Sequence, residues 1–156
     1  MINDLLQFLN YENIYLIANI GVIPCWFLLI FFPRAIFTNI LVKSVVIPAL
    51  LSTAYIFISY QFYITENIFE IFNLYFGLNE LYSLYSNEGF LLIFWLHFLT
   101  VNLFAGNWIA NDAMTYSVSK PFVIISLITT YFTGPLGLVL YWLIRIFYSK
   151  KINYYD

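Results

Sequence analysis

Trp95-Leu96-His97-Phe98-Leu99-Thr100-Val101-Asn102-Leu103-Phe104-Ala105-Gly106-Asn107-Trp108-Ile109-Ala110-Asn111-Asp112 holds the only His of the chain. It lies in a run from Gly89 to Asn111 that has no Asp, Glu, Lys or Arg. About 20 apolar residues cross a bilayer core, so this run reads as a membrane-spanning helix. Polar groups inside such a helix are costly, face other helices by preference and are functional candidates. On an ideal helix Trp108 lies within about 20° of His97, and Thr100, Asn111 and Asp112 lie within about 60° of it. Asn102 points about 140° away. His97 and Asp112 are separated by roughly 22 Å along the axis, so they do not form an acid–base pair on one reacting atom. His97 needs a partner from another helix, and Asp112 is expected at the membrane boundary.

The 156 residues are 63% hydrophobic and 22% aromatic, and only 9% are charged. A soluble domain carries about 25% charged residues, so there is too little polar surface here for a water-soluble shell. The mean hydropathy of +0.85 agrees. A net charge of -2 gives no basic field, which argues against nucleic acid as a partner. One Cys, Cys25, excludes an intrachain disulfide and any zinc spacing, and it reads as inert packing. Met1 to Glu12 contain Asp4 and Glu12 but no Lys or Arg. That is not the pattern of a cleaved signal or transit peptide, so the first span is expected to be an uncleaved anchor.

Four windows are long and apolar enough to span: residues 13–33, 44–65, 89–111 and 121–144. The expected fold is all-α, a single polytopic bundle over residues 1–156 with four transmembrane helices. Between the second and third spans, Glu66, Glu70, Asn73, Gly77 and Glu80 recur at spacings of four and three. This predicts an amphipathic interfacial helix over residues 66–86. Pro24 in the first span reads as a kink or as part of a pocket. In the fourth, Gly134-Pro135-Leu136-Gly137 should break the helix in mid-membrane. Arg145 is expected to snorkel to the interface. With four spans, Arg34, Lys43 and Lys120 fall on one side and Arg145, Lys150 and Lys151 on the other, so the positive-inside rule gives no orientation.

The central stretch resembles the abscisic-acid-deficient-four-like family, whose plant members are linked to neoxanthin synthesis. The family pattern is matched by Trp95, His97, Phe98, Leu99, Leu103, Phe104, Gly106, Trp108, Ile109, Asp112 and Ala113. Asn102 stands where the family usually has Asp, and Asn107 and Asn111 where it often has Arg. The family's earlier Asn and P-x-W-x-L-L find counterparts in Asn19 and Pro24-Cys25-Trp26-Phe27-Leu28-Leu29. Its G-P-x-G-L-L-x-Y ending in Arg is matched by Gly134, Pro135, Gly137, Leu138, Tyr141 and Arg145.

The resemblance implies a membrane protein that modifies or binds a carotenoid or other polyene lipid, with an isomerase-like activity and no redox cofactor. His97 and Asp112 are the catalytic candidates. Asn19, Trp26, Asn102 and Trp108 are the ligand-binding candidates, and Tyr55 or Tyr60 is a helper if the second span faces the third. No metal and no cofactor are expected. The alternative is a non-catalytic scaffold or lipid-binding bundle, in which His97 supplies a hydrogen bond between spans. Besides membrane lipid or carotenoid, the expected partner is a second copy or another membrane protein. The expected location is a bacterial inner (plasma) membrane, with a plastid membrane as the alternative.

Overall fold

The computed structural model describes residues 9–44, 46–65, 72 and 74–150, and every regular element among them is helical. These are α1 (Tyr11–Phe31), a π-helical turn (Thr38–Val42), α2 (Val46–Thr65), α3 (Leu78–Tyr85), α4 (Glu88–Thr115), α5 (Lys120–Thr133) and α6 (Pro135–Ser149). The helix starts are written in the sequence. Asn10 Oδ1 accepts the Asn13 amide at 2.8 Å and caps α1. Asn87 Oδ1 accepts the amides of Gly89 and Phe90 at 2.9 and 3.2 Å and caps α4. Glu12 and Glu88 occupy the first turns, where the helix dipole favours an acid.

Three stretches are long and apolar enough to cross a membrane: Tyr11–Phe31, Thr38–Ile64 and Glu88–Thr115. The fourth expected span is different. Residues 121–144 are divided between α5 and α6, of 14 and 15 residues, at Gly134. Gly134 has φ +58 and ψ −91, a backbone state that a side chain makes costly, and Pro135 then starts α6 without needing an amide partner. The two helices fold back on each other. Tyr148 Oη donates to Ser119 Oγ at 3.2 Å, and the Phe122 and Tyr148 rings lie 6.4 Å apart. Nearer the tip, a Cβ on Gly137 would collide with the backbone and hydroxyl of Thr130. The predicted break is therefore the tip of a helical hairpin. Each arm is about 21–22 Å long, short of the roughly 30 Å hydrocarbon core. Along α5 the hydroxyls of Ser126, Thr129, Thr130 and Thr133 each donate to the carbonyl four residues back at 2.8 Å, so these polar groups are satisfied within the helix.

The interfacial helix expected over 66–86 lies partly outside the described residues, at 66–71 and 73; within the rest, α3 forms from Leu78 to Tyr85. α1 continues as a helix through Pro24, and Cys25 is buried.

The chain divides into two compact units, residues 1–21 with 49–99 and residues 22–48 with 100–156. In the first, Phe62, Leu84 and Phe90 form a buried cluster flanked by Leu74, Tyr85 and Ile93. In the second, Trp26, Leu29, Leu103, Ile109, Leu127 and Tyr141 are buried. Charge follows the same division. Among the described residues Arg34, Lys43, Lys120, Arg145 and Lys150 fall in the second unit, whereas Glu12, Glu80 and Glu88 fall in the first.

Candidate functional site

The first unit carries His97. Its side chain is exposed on α4, and its ring centroid is 6.5 Å from that of Tyr55 on α2. Tyr55 is also exposed. Among the described residues no hydrogen bond engages His97, so the bond between spans expected of it is not formed there. Tyr60 is exposed on the same helix as Tyr55. In a chain of this composition an exposed side chain in mid-span meets lipid, a ligand or another protein. An imidazole and a phenol side by side on that face are two groups able to carry a proton.

Asn19 joins α1 to α4 in the same unit. Its Nδ2 donates to the Tyr15 carbonyl at 2.7 Å, and its Oδ1 accepts from Trp95 Nε1 at 3.2 Å. The Tyr15 and Trp95 rings are 6.0 Å apart. Both ends of the amide are in use, which suits a helix clamp. Trp95→Phe removes the bond and is expected to destabilise the protein by about 0.6 kcal/mol, and by no more than about 1.7, in unfolding from detergent. Asn19→Leu should cost at least as much, because it leaves the indole N–H without an acceptor.

The second unit gathers the other candidates around the hairpin. Asp112 Oδ2 accepts from Tyr141 Oη at 2.6 Å and from Arg145 Nε at 2.8 Å. Arg145 also donates through Nη2 to Tyr116 Oη at 3.2 Å, and its guanidinium lies 4.6 Å from the Tyr116 ring centroid. Trp108 stands edge-on to Tyr141 at 5.5 Å. Contrary to expectation, Arg145 does not snorkel; it turns inward and is 1% exposed. The reason is chemical: a planar donor fork finds a carboxylate and two phenols within reach, and inside a bundle they stabilise it better than a route to the interface along a 15-residue helix. Sequence reading missed Arg145, Tyr141 and Tyr116 as members of this cluster. The available signal was Asp112 itself, an acid near the end of a span that requires a basic partner.

Trp26 fills the space left by Gly106. A Cβ there would stand 2.6 Å from the indole edge, and the Tyr131 ring lies edge-on to the same indole at 5.5 Å. Asn102 is 6% exposed and lies against the hairpin tip, where a Cβ on Gly134 would overlap its amide oxygen. Its Nδ2 is buried and makes no hydrogen bond among the described residues. Asn111 Nδ2 donates to Asn107 Oδ1 at 3.0 Å, linking these two amides one turn apart along the helix. A cavity of about 540 Å³ opens elsewhere in this unit, and none of the six candidate residues lines it.

A family described as ABA DEFICIENT 4-like matches residues 13–141, which takes in α1 but for its first two residues, all of α2, α3, α4 and α5, and half of α6. Neither the curated proteins nor the solved structures contain a match to the chain.

Proposed function

The chain belongs to the ABA DEFICIENT 4-like family, and on that footing we propose that it takes a carotenoid or related polyene from the bilayer and isomerises an epoxide end of it. The observation that carries this reading is the exposed His97 beside Tyr55 on an apolar face. Opening an epoxide requires a proton on its oxygen as the C–O bond breaks. Forming the new double bond requires loss of a proton from a carbon of the chain. One proton enters and one leaves, so the product is an isomer and no redox partner is consumed. The phenol of Tyr55 and the imidazole of His97 are the donor and acceptor in this scheme. Asn19 ties α1 to α4 through Trp95. Asp112, engaged by Tyr141 and Arg145, is given a supporting role in the bundle, together with Trp26, Asn102 and Trp108. The membrane is taken to be a bacterial inner membrane, with a plastid membrane as the alternative.

The test is turnover of an epoxy-carotenoid by the purified protein in lipid. Wild type is expected to yield the isomer. His97→Ala should lower the rate at least about 100-fold, in line with the usual contribution of a general acid or base. Unfolding should remain within about 0.5 kcal/mol of wild type, as for a surface substitution. Turnover by His97→Ala at the wild-type rate would remove the catalytic assignment.

A second reading is a non-catalytic lipid-binding or scaffolding bundle. It is favoured by the engagement of Asp112 in an ion pair and by Asn at positions 102, 107 and 111. It expects no isomer from wild type, and normal lipid retention in His97→Ala.

A further inference from the structure

We propose that the cavity of the second unit is a binding site for an anionic membrane phospholipid, with the headgroup phosphate between Arg34 and Lys120 and an acyl chain inside. The cavity, of about 540 Å³, lies within the range of about 300–1,000 Å³ usual for small-molecule sites. Its walls include Leu29, Ala110, Ala113, Val123 and Ile124, which suit a hydrocarbon chain. Arg34 and Lys120 also line it, and both are exposed.

Charge selects the occupant. Neither cation makes an ion pair among the described residues, whereas the acid at hand, Asp112, is engaged by Arg145. Lys120 begins α5, whose first turn has no acid and whose N-cap, Ser119, makes no side-chain cap bond. The dipole of a 14-residue helix therefore adds to the two cations instead of opposing them. An apolar cavity with an unneutralised positive rim complements an amphiphile with an anionic head, and basic pockets between membrane helices hold such heads.

The hairpin adds a second line of support. Because Tyr148 meets Ser119, α5 and α6 return to one end, so Lys150 falls on the same side as Lys120 and not opposite it as the four-span reading has it. The positive-inside rule then assigns this end to the cytoplasmic face, where anionic lipids are available. The lipid site stands apart from the carotenoid reading, since the cavity contains neither His97 nor Tyr55.

The experiment is lipid titration of delipidated full-length protein in detergent, read by native mass spectrometry, with phosphatidylglycerol and phosphatidylcholine of identical chains. Wild type is expected to prefer phosphatidylglycerol at least about ten-fold. A cation near an anionic lipid is worth roughly five-fold in affinity, so Arg34→Gln and Lys120→Gln should each lose about that factor. The double variant should fall to the phosphatidylcholine level, while Lys150→Gln, outside the cavity, keeps the preference. Millimolar inorganic phosphate should not displace the lipid. Equal affinity for the two lipids, or a double variant that binds like wild type, overturns the proposal. Displacement by inorganic phosphate also overturns it and leaves a simple anion site.

Discussion

Asp112→Ala is expected to destabilise the protein by about 3–5 kcal/mol, several times the cost of a typical substitution. Arg145 is 1% exposed, so removal of its carboxylate leaves a buried cation without its counter-charge. Tyr141 loses its acceptor in the same step. Tyr116 remains, through a hydrogen bond and a cation–π contact, but a neutral ring does not replace a carboxylate. Asp112→Asn should fall between, since it keeps an acceptor for Tyr141 and loses the charge. The sharper test is the double variant Asp112→Asn/Arg145→Met, which removes both charges. Replacing a buried ion pair by groups of similar volume is often close to neutral, so this variant should recover most of the loss. Chemical unfolding in mild detergent reads all three. An Asp112→Ala protein within about 1 kcal/mol of wild type would show that the pair is not a structural tie.

The second large effect is expected at Gly137. Its Cα sits so close to α5 that a Cβ would overlap the Thr130 amide nitrogen, Cα and hydroxyl. The obstacle is helical backbone, which cannot rotate aside as the end of a side chain can. Gly137→Ala must spread the hairpin arms near their tip. The typical overpacking cost is about 1–3 kcal/mol, and this contact belongs at the upper end. Thr130→Ala should relieve little of it, because the backbone contact persists. Spreading the arms should also disturb the opposite end of the hairpin, where Tyr148 meets Ser119 and Phe122. If Gly137→Ala and Gly137→Leu both unfold like wild type, the arms do not approach as described.

Much of this fold is legible in the sequence because its signals are local. Charge-free runs locate α1, α2 and α4, Asn10 and Asn87 mark two helix starts, and Gly134-Pro135 marks a break. What is not legible is what the chain does beyond a break. A Gly-Pro pair allows a kink or a reversal equally, and the choice of a hairpin depends on Gly137 meeting Thr130 and Ser119 meeting Tyr148. The turn inward of Arg145 is hidden for the same reason, since Asp112 is 33 residues away and spacing says nothing of it. Helical arithmetic also misleads at the central stretch. It puts Trp108 within about 20° of His97. Yet Trp108 is half-buried against Tyr141 while His97 is exposed, because the two lie about 16 Å apart along the axis and meet different neighbours. Trp26, a ligand-binding candidate, packs into the gap at Gly106, a contact that no spacing in the sequence shows.

Binding of an oxygenated polyene at the face of His97 and Tyr55 underlies the proposed chemistry. The decisive experiment is the absorption spectrum, with pigment extraction, of protein purified in mild detergent from a carotenoid-producing host. Wild type should carry a near-stoichiometric polyene, and Tyr55→Ala/His97→Ala should clearly lose it with helical content unchanged. Wild-type protein that carries no polyene, or a double variant that retains it at the wild-type level, would contradict polyene binding at that face.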